Sequence, residues 1–200
     1  MKENFINSSI NFISKYQEIN DLKMKQLKYG LEGLYSLFVK LTIVLIMAFI
    51  TKTITYTLLY LLFYTGIRTF SYGWHAKSNI SCWITTILIY NIIPILIKNL
   101  TIPSFIGYII LIISFISVIL WAPADTPKKP LIRKKQRDKL KILSTIIVLI
   151  YSLIFIFSKN TTINNSLIYA LTIQIIFINP LTYKLTNTQF NNYKYYKKKN

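Results

Sequence analysis

The stretch IPSFIGYIILIISFISVILW, residues 102–121, decides the fold, because it runs for twenty residues without a charged side chain. A helix of that length rises about 30 Å, which is the thickness of the hydrocarbon core of a bilayer. Similar blocks fill most of the chain, which is 53% hydrophobic and only 15% charged. A water-soluble domain would need a polar face along such helices, so we expect an integral membrane protein.

The apolar blocks together predict an all-α, multi-pass membrane bundle of about six spans. The first two blocks can instead form one re-entrant pair. We expect amphipathic cytoplasmic-face helices over 1–33, the transmembrane bundle with any catalytic site over 34–183, and a basic cytoplasmic tail over 184–200. The predicted spans are residues 34–51, 54–70, 80–98, 102–121, 142–158 and 163–183.

The N-terminal segment has the pattern of amphipathic helices. Ile6, Ile10 and Ile13 recur at helical spacing with polar residues between them. Such helices lie on a membrane surface or pack on the bundle, and the sequence leaves both open. Because the first apolar block begins beyond residue 30, after a mixed-charge segment, we expect no cleavable signal peptide.

The basic residues predict the orientation of the chain. Lys and Arg number 24 against six acidic residues, for a net charge of +18. With a cytoplasmic N-terminus, the outer loops hold only Lys52, Lys98 and Lys159. The cytoplasmic side then receives the N-terminal segment, Arg68, Lys77, the loop 127–141 and the basic C-terminal tail. The protein is therefore expected in the cell membrane with both termini cytoplasmic. Since the charges sit at span ends, anionic lipids are expected partners and nucleic acid is not.

The most basic segment is the predicted cytoplasmic loop 122–141. Its cations can contact anionic headgroups or receive an acidic peptide substrate, and the two interpretations are compatible. The candidate binding residues are Lys128, Lys129, Arg133, Lys134 and Lys135.

The only histidine and the only cysteine lie in RTFSYGWHAKSNISC, residues 68–82. A single cysteine excludes an internal disulfide, and this inventory predicts neither a metal site nor a cofactor. On one straight helix His75 and Cys82 would be about 10 Å apart along the axis, too far for proton transfer. Gly73 and the pair Ser78–Asn79 predict an interruption of the helix that would bring the two together.

That interruption would create suitable chemistry for a thiol nucleophile. Ser78 or Asn79 can cap the following helix, which places Cys82 in its first turn. Backbone N–H groups there favour a thiolate and can receive an oxyanion, and Lys77 acts in the same direction. His75 can then accept the thiol proton. The spacing alone equally fits a cysteine that fills space in a helix and an interfacial histidine.

The residues Arg68, Gly73-x-His75 and Cys82 resemble the active-site pattern of the accessory gene regulator B family (AgrB), membrane cysteine proteases of Gram-positive quorum sensing. YGLEGL (29–34) and WAPADTPKKP (121–130) are similar to two further family segments. The resemblance implies that Cys82, as nucleophile, cleaves the C-terminal tail from an AgrD-type precursor peptide. His75 would be the general base and then the general acid. The precursor's own Cys or Ser would displace the thioester to give a thiolactone or lactone.

Residues around the candidate pair have alternative roles. Arg68 can pair with an acidic substrate group or anchor the end of a span, and Gly73 lets the backbone turn. Glu32 can orient His75 or pair with Lys28 at i, i+4. Asp125 is the second candidate to orient the histidine.

The alternative function is a membrane peptide exporter or permease component without proteolytic activity. Polar residues are scarce inside the predicted spans, with Asn91 and Gln174 as the main exceptions. This scarcity favours the protease, because transporters carry polar groups near the membrane midplane. The small number of spans is compatible with a homodimer.

Overall fold

The computed structural model of the chain describes residues 2–16, 20–127 and 129–196. This part of the chain is helical and contains no β-strand, which confirms the all-α prediction. The helices are α1 (Lys2–Ser14), α2 (Asp21–Ile50), α3 (Ile54–Ser71), α4 (Asn79–Asn99), α5 (Ser104–Trp121), α6 (Lys134–Phe157), α7 (Thr161–Ile178), α8 (Pro180–Leu185) and α9 (Tyr193–Tyr196).

Five helices of the described ranges are long and apolar enough to cross a membrane, namely α2, α4, α5, α6 and α7. The number is close to the six predicted. Helix α3, which is not among these five, lies where the second span was predicted, but it carries several Tyr and Thr residues together with Arg68. Its Tyr60, Phe63, Tyr64 and Ile67 side chains are buried, so α3 faces protein more than lipid.

The chain divides into two compact units, residues 1–47 and 48–200. In the first unit, α1 lies against the N-terminal half of α2. The rings of Phe5 and Tyr35 are 5.8 Å apart, and Lys2 Nζ lies 3.4 Å from a carboxylate oxygen of Glu32. Helix α2 runs without a break from the amphipathic segment into the predicted first span.

The second unit is built around α3 and α7. Helix α3 packs against α4, α6 and α7, while α5 packs on α6 and α7. Leu167, Ile168 and Leu171 of α7 are almost completely buried. Between α6 and α3, the Tyr151 hydroxyl donates a hydrogen bond of 2.8 Å to the carbonyl of Phe63. Near the end of α7, the Gln174 amide donates to the Tyr72 carbonyl at 2.7 Å, so the ends of α3 and α7 lie next to each other at the candidate site.

The outer surface of the second unit is apolar. On α5, Leu111 and Val118 point inward, whereas Ile112 and Leu120 are 62% and 63% exposed. Large apolar side chains exposed in this density are typical of a surface that meets lipid. The protein is therefore a membrane protein.

Candidate active site at the junction of two helices

The helical path is interrupted between His75 and Cys82 as the sequence predicted, since α3 ends at Ser71 and α4 begins at Asn79. Gly73 lies at the turn with φ of +124°, a conformation that L side chains rarely adopt. A Cβ atom at this position would stand 2.9 Å from the carbonyl oxygen of Phe177. The turn therefore requires glycine on both conformational and steric grounds.

Ser78 caps α4, and this places Cys82 in the first turn. The Ser78 hydroxyl oxygen accepts a hydrogen bond of 3.0 Å from the Ser81 N–H. The Cys82 N–H donates to the Ser78 carbonyl at 3.1 Å. Because the N–H groups of Ser81 and Cys82 already have acceptors, an oxyanion at this turn would be bound by the N–H groups of Asn79 and Ile80.

The structure brings the histidine and the cysteine side by side. His75 Nε2 lies 3.7 Å from Cys82 Sγ, and His75 Nδ1 lies 3.2 Å from the carbonyl oxygen of Ala76. A carbonyl oxygen can only accept a hydrogen bond, so the contact to Ala76 requires the proton on Nδ1. In the neutral imidazole this leaves the lone pair on Nε2, which is the nitrogen that faces the thiol.

Arg68 organises the turn between the two helices. Its guanidinium donates hydrogen bonds to the carbonyls of Tyr72 (2.9 Å), Gly73 (3.2 Å) and Trp74. The same group lies 5.1 Å from the centre of the Phe177 ring. In this arrangement Arg68 anchors the backbone that leads into His75, which corresponds to the anchoring alternative drawn from the sequence.

The turn is also fixed from outside. Gly73 N–H donates to the Ala124 carbonyl at 2.8 Å, and Ala124 N–H donates to the Ser71 carbonyl at 3.0 Å. From α7, the Phe177 carbonyl accepts from the Trp74 N–H at 2.7 Å. The segment after α5 and the end of α7 therefore hold the loop that carries His75.

Asp125 was considered as a residue that orients His75, but its carboxylate contacts the backbone of two other segments. Its buried carboxylate accepts backbone N–H groups of Leu131 (3.2 Å), Asn192 (2.8 Å) and Tyr193 (3.0 Å). It thus connects the 122–131 segment to the C-terminal segment. Tyr183 reinforces the link by donating to the carbonyls of Ala124 and Asp125 at 3.1 and 3.2 Å, and burial raises the pKa of its phenol.

Glu32 and the basic candidate residues have other contacts than those considered for them. Glu32 belongs to the first unit, where its ion pair is with Lys2 and not with Lys28. Lys128 lies outside the described residues. Lys129 Nζ stands 5.0 Å from the centre of the Tyr72 ring. The other three candidates are exposed at the start of α6, at Arg133, Lys134 and Lys135.

A cavity of about 180 Å³ opens beside the two unique residues. Its walls are mainly aromatic and aliphatic, and His75 and Cys82 both line it. The buried indole Nε1 of Trp74, in the same wall, has no acceptor among the described side chains and backbone. The other wall residues include Tyr64, Ile89, Tyr90 and Phe177. Across the described ranges, no group of three His, Cys, Asp or Glu side chains is placed to hold a metal ion.

Sequence reasoning missed the distant residues that hold this site. Phe177, Tyr183 and Asn192 lie about a hundred positions from His75 and carry no motif of their own. Gln174 gave a signal as a polar residue within a span, and its amide donates to the Tyr72 carbonyl at 2.7 Å.

Comparison with known proteins gives one consistent result. The family model described as Accessory gene regulator B matches residues 6–178. An AgrB-like protein of Listeria monocytogenes is 31% identical over 179 residues, covering 86% of this chain and 84% of its own length. An AgrB-like protein of Listeria innocua is 30% identical with the same coverage. The accessory gene regulator protein B of Staphylococcus aureus is 29% identical over 154 residues, covering 76% and 82%. No solved structure matches the chain.

Proposed function

Because this chain belongs to the accessory gene regulator B family, and so takes part in accessory gene regulator quorum sensing, we propose that it is a membrane cysteine endopeptidase. Its substrate in this proposal is an AgrD-type precursor peptide, from which it removes the C-terminal tail. The product is a thiolactone or lactone autoinducing peptide.

The proposal rests mainly on the 3.7 Å approach of His75 Nε2 to Cys82 Sγ. A nucleophile and its base must lie within hydrogen-bond reach, and an S···N distance of this size is suitable for a thiol. The contact from Nδ1 to Ala76 supports the role of Nε2 as proton acceptor. A backbone carbonyl thus takes the orienting position for which Glu32 and Asp125 were considered.

In the first half-reaction, the Cys82 thiol gives its proton to His75 Nε2 and attacks the carbonyl at the end of the signal sequence. A carbon–sulfur bond forms as the carbon–nitrogen bond breaks, and His75 returns the proton to the leaving amine. The tail departs and the signal portion remains on Cys82 as a thioester.

In the second half-reaction, a Cys or Ser of the bound precursor replaces water as the attacking group. Its proton passes to His75, the new ester or thioester bond closes the ring, and the Cys82 sulfur leaves and regains the proton. Exchange between two thioesters is nearly isoenergetic, so no ATP is needed. A cavity with apolar walls slows the competing hydrolysis, and tethering supplies a high effective concentration.

Arg68 and Gly73 are positioning residues in this proposal, because both fix the backbone that carries His75. The basic residues at the start of α6 are proposed to attract an acidic peptide tail or anionic headgroups. Both termini and the catalytic pair are assigned to the cytoplasmic side on the distribution of Lys and Arg. We keep the three predicted regions in this proposal, namely amphipathic cytoplasmic-face helices over 1–33, the transmembrane catalytic bundle over 34–183 and a basic cytoplasmic tail over 184–200.

The test uses the full chain in membranes with an AgrD-type precursor peptide that carries a C-terminal tag. Release of the tagged tail by the intact protein, lost in both Cys82→Ala and His75→Ala, is the expected result. The matched control is Ser81→Ala, which changes a neighbouring side chain in the same turn. Tail release that persists in Cys82→Ala would refute the proposal.

A further inference from the structure

A second cavity, of about 300 Å³, lies against the loop that carries His75. It is bounded by that loop, by the segment after α5 and by the chain that follows α8. His75 and Ala76 line this cavity as well as the one that contains Cys82. The two cavities therefore share His75 and Ala76 in their walls, whereas Cys82 lines only the first.

The two cavities correspond to the two parts of a peptide bond under attack, the acyl part and the leaving amine. The acyl part must stay beside Cys82, because it becomes bonded to Sγ. The leaving amine must lie near His75 to receive the proton. A chain that continues from this amine, away from Cys82 and past His75, enters the second cavity.

The far wall of the cavity is firmly built. It contains Asn187 and Gln189, which come just before the residues held by Asp125. The Thr188 N–H donates to the Tyr183 carbonyl at 2.8 Å, and the rings of Tyr183 and Phe190 are 5.0 Å apart. Asp125 is only 1% exposed, and its carboxylate accepts the N–H group of Leu131 after α5 and the N–H group of Tyr193 in the C-terminal segment.

The lining indicates the chemistry of the occupant. Asn187 and Gln189 offer amide donors and acceptors, Thr126 adds a hydroxyl, and Lys77 contributes a positive charge. Of the described residues that line the cavity, none is acidic. These side chains can pair with the backbone and side chains of a polar or acidic extended peptide.

Building on the proposed function, we propose that the second cavity binds the leaving peptide, namely the polar or acidic residues directly after the scissile bond. The C-terminal segment of this chain, fixed by Asp125, is then a wall of the substrate site. Cleavage of a peptide tail depends on this wall, whereas expulsion of a small leaving group does not.

The kinetic test compares two substrates with the same acyl part. One is the tagged AgrD-type precursor, and the other ends at the cleavage site with p-nitroaniline as leaving group. Gln189→Trp is expected to fill the cavity and lower kcat/KM for the peptide tail by about tenfold or more, with less than about a twofold effect on the anilide. Leu185→Trp, at a residue 75% exposed on α8, is the matched control and should change neither.

Equal loss on both substrates, or no loss on either, would overturn the assignment. If Cys82→Ala still cleaves the precursor, the proposed function fails whatever Gln189→Trp does. If Cys82 is required and Gln189→Trp does not separate the substrates, only the assignment of the second cavity fails.

A crosslinking measurement guards against a folding defect in the tryptophan variant. The chain has one natural cysteine, so Cys82→Ala combined with Gln189→Cys leaves a single thiol. With copper–phenanthroline added as the oxidant, a precursor with its ring cysteine replaced by Ser and a new Cys placed two residues after the cleavage site should form a disulfide with it. Placing the new Cys two residues before the site should not give the bond, and neither should Leu185→Cys. Crosslinking that is equal at both positions would contradict the proposal.

Discussion

Arg68 and Tyr72 are joined by a hydrogen bond of 2.9 Å from the guanidinium of the first to the carbonyl of the second. The same side chain reaches the carbonyls of Gly73 and Trp74. One guanidinium thus donates hydrogen bonds to three carbonyl oxygens just after α3 and fixes the start of the loop that leads to His75. The geometry of the candidate dyad therefore depends on Arg68, although its hydrogen bonds go to the preceding backbone and not to Cys82 or His75.

Arg68→Lys is expected to lower the rate of acylation by about ten- to a hundredfold, because an ammonium cannot reproduce the planar fork that serves three carbonyls. Binding of the precursor should change much less than kcat, since the lysine keeps the charge. Single-turnover thioester formation and a separate binding measurement check this split. A variant that weakens binding but acylates normally would instead assign Arg68 to substrate recognition.

Gly73→Ala is expected to destabilise the loop by about 1–3 kcal/mol and to reduce cleavage, because φ of +124° and the nearby Phe177 carbonyl both exclude a Cβ. Gly33→Ala is the matched control, since a Cβ there meets nothing within 4 Å and alanine favours the helix. Thermal unfolding in detergent and tail release measure the two effects. Equal behaviour of both variants would contradict the assigned role of Gly73.

Trp74→Phe tests whether the buried indole N–H serves the reaction. Phenylalanine preserves an aromatic ring next to Phe177, which lies 5.7 Å away, but removes the donor that has no acceptor among the described residues. If this N–H binds the substrate carbonyl as charge develops on its oxygen, kcat should fall by about ten- to a hundredfold. Unchanged kcat would show that the N–H does not contribute, and Trp121→Phe, outside the lining of this cavity, provides the reference.

Asp125→Asn is expected to loosen the C-terminal segment, because an amide nitrogen would face backbone N–H groups that the carboxylate now accepts. A loss of about 1–3 kcal/mol follows from leaving buried donors without an acceptor. Hydrogen exchange should accelerate at the amides of Asn192 and Tyr193. Asp138→Asn, at an exposed position of α6, should leave this exchange unchanged; an equal response would remove the argument for Asp125 as a clamp.

The parts of the fold that follow from local patterns could be predicted from sequence. The apolar block at 102–121 gives α5, with Pro103 immediately before it, and the Ser78 cap follows from the preference for a hydroxyl before a helix. The interruption that lets His75 approach Cys82 was predictable, because Gly73 lies just before the histidine and Ser78–Asn79 lie between the two residues. Helix α3 was less clear, because its tyrosines and threonines are explained only by burial among other helices.

The rest depends on tertiary contacts that leave no local trace. Nothing in the sequence around Asp125 indicates that its carboxylate meets Asn192 and Tyr193, which lie far along the chain. The acceptor for His75 Nδ1 is a backbone carbonyl, and carbonyls are present at every residue. Glu32 and Asp125 were the side-chain candidates for this position, whereas the acceptor is the backbone carbonyl of the residue next to the histidine.

The most direct test of the thioester mechanism measures the mass of the Cys82-containing peptide during turnover. The intact protein should be incubated with an AgrD-type precursor whose ring-forming residue is replaced by Ala, so that the acyl-enzyme cannot be resolved by cyclisation. We predict that the Cys82-containing peptide gains the mass of all precursor residues up to the cleavage site minus one water, and that hydroxylamine releases this adduct. Tail release without any adduct on Cys82 would contradict the thioester mechanism and leave the His75–Cys82 contact without a catalytic role.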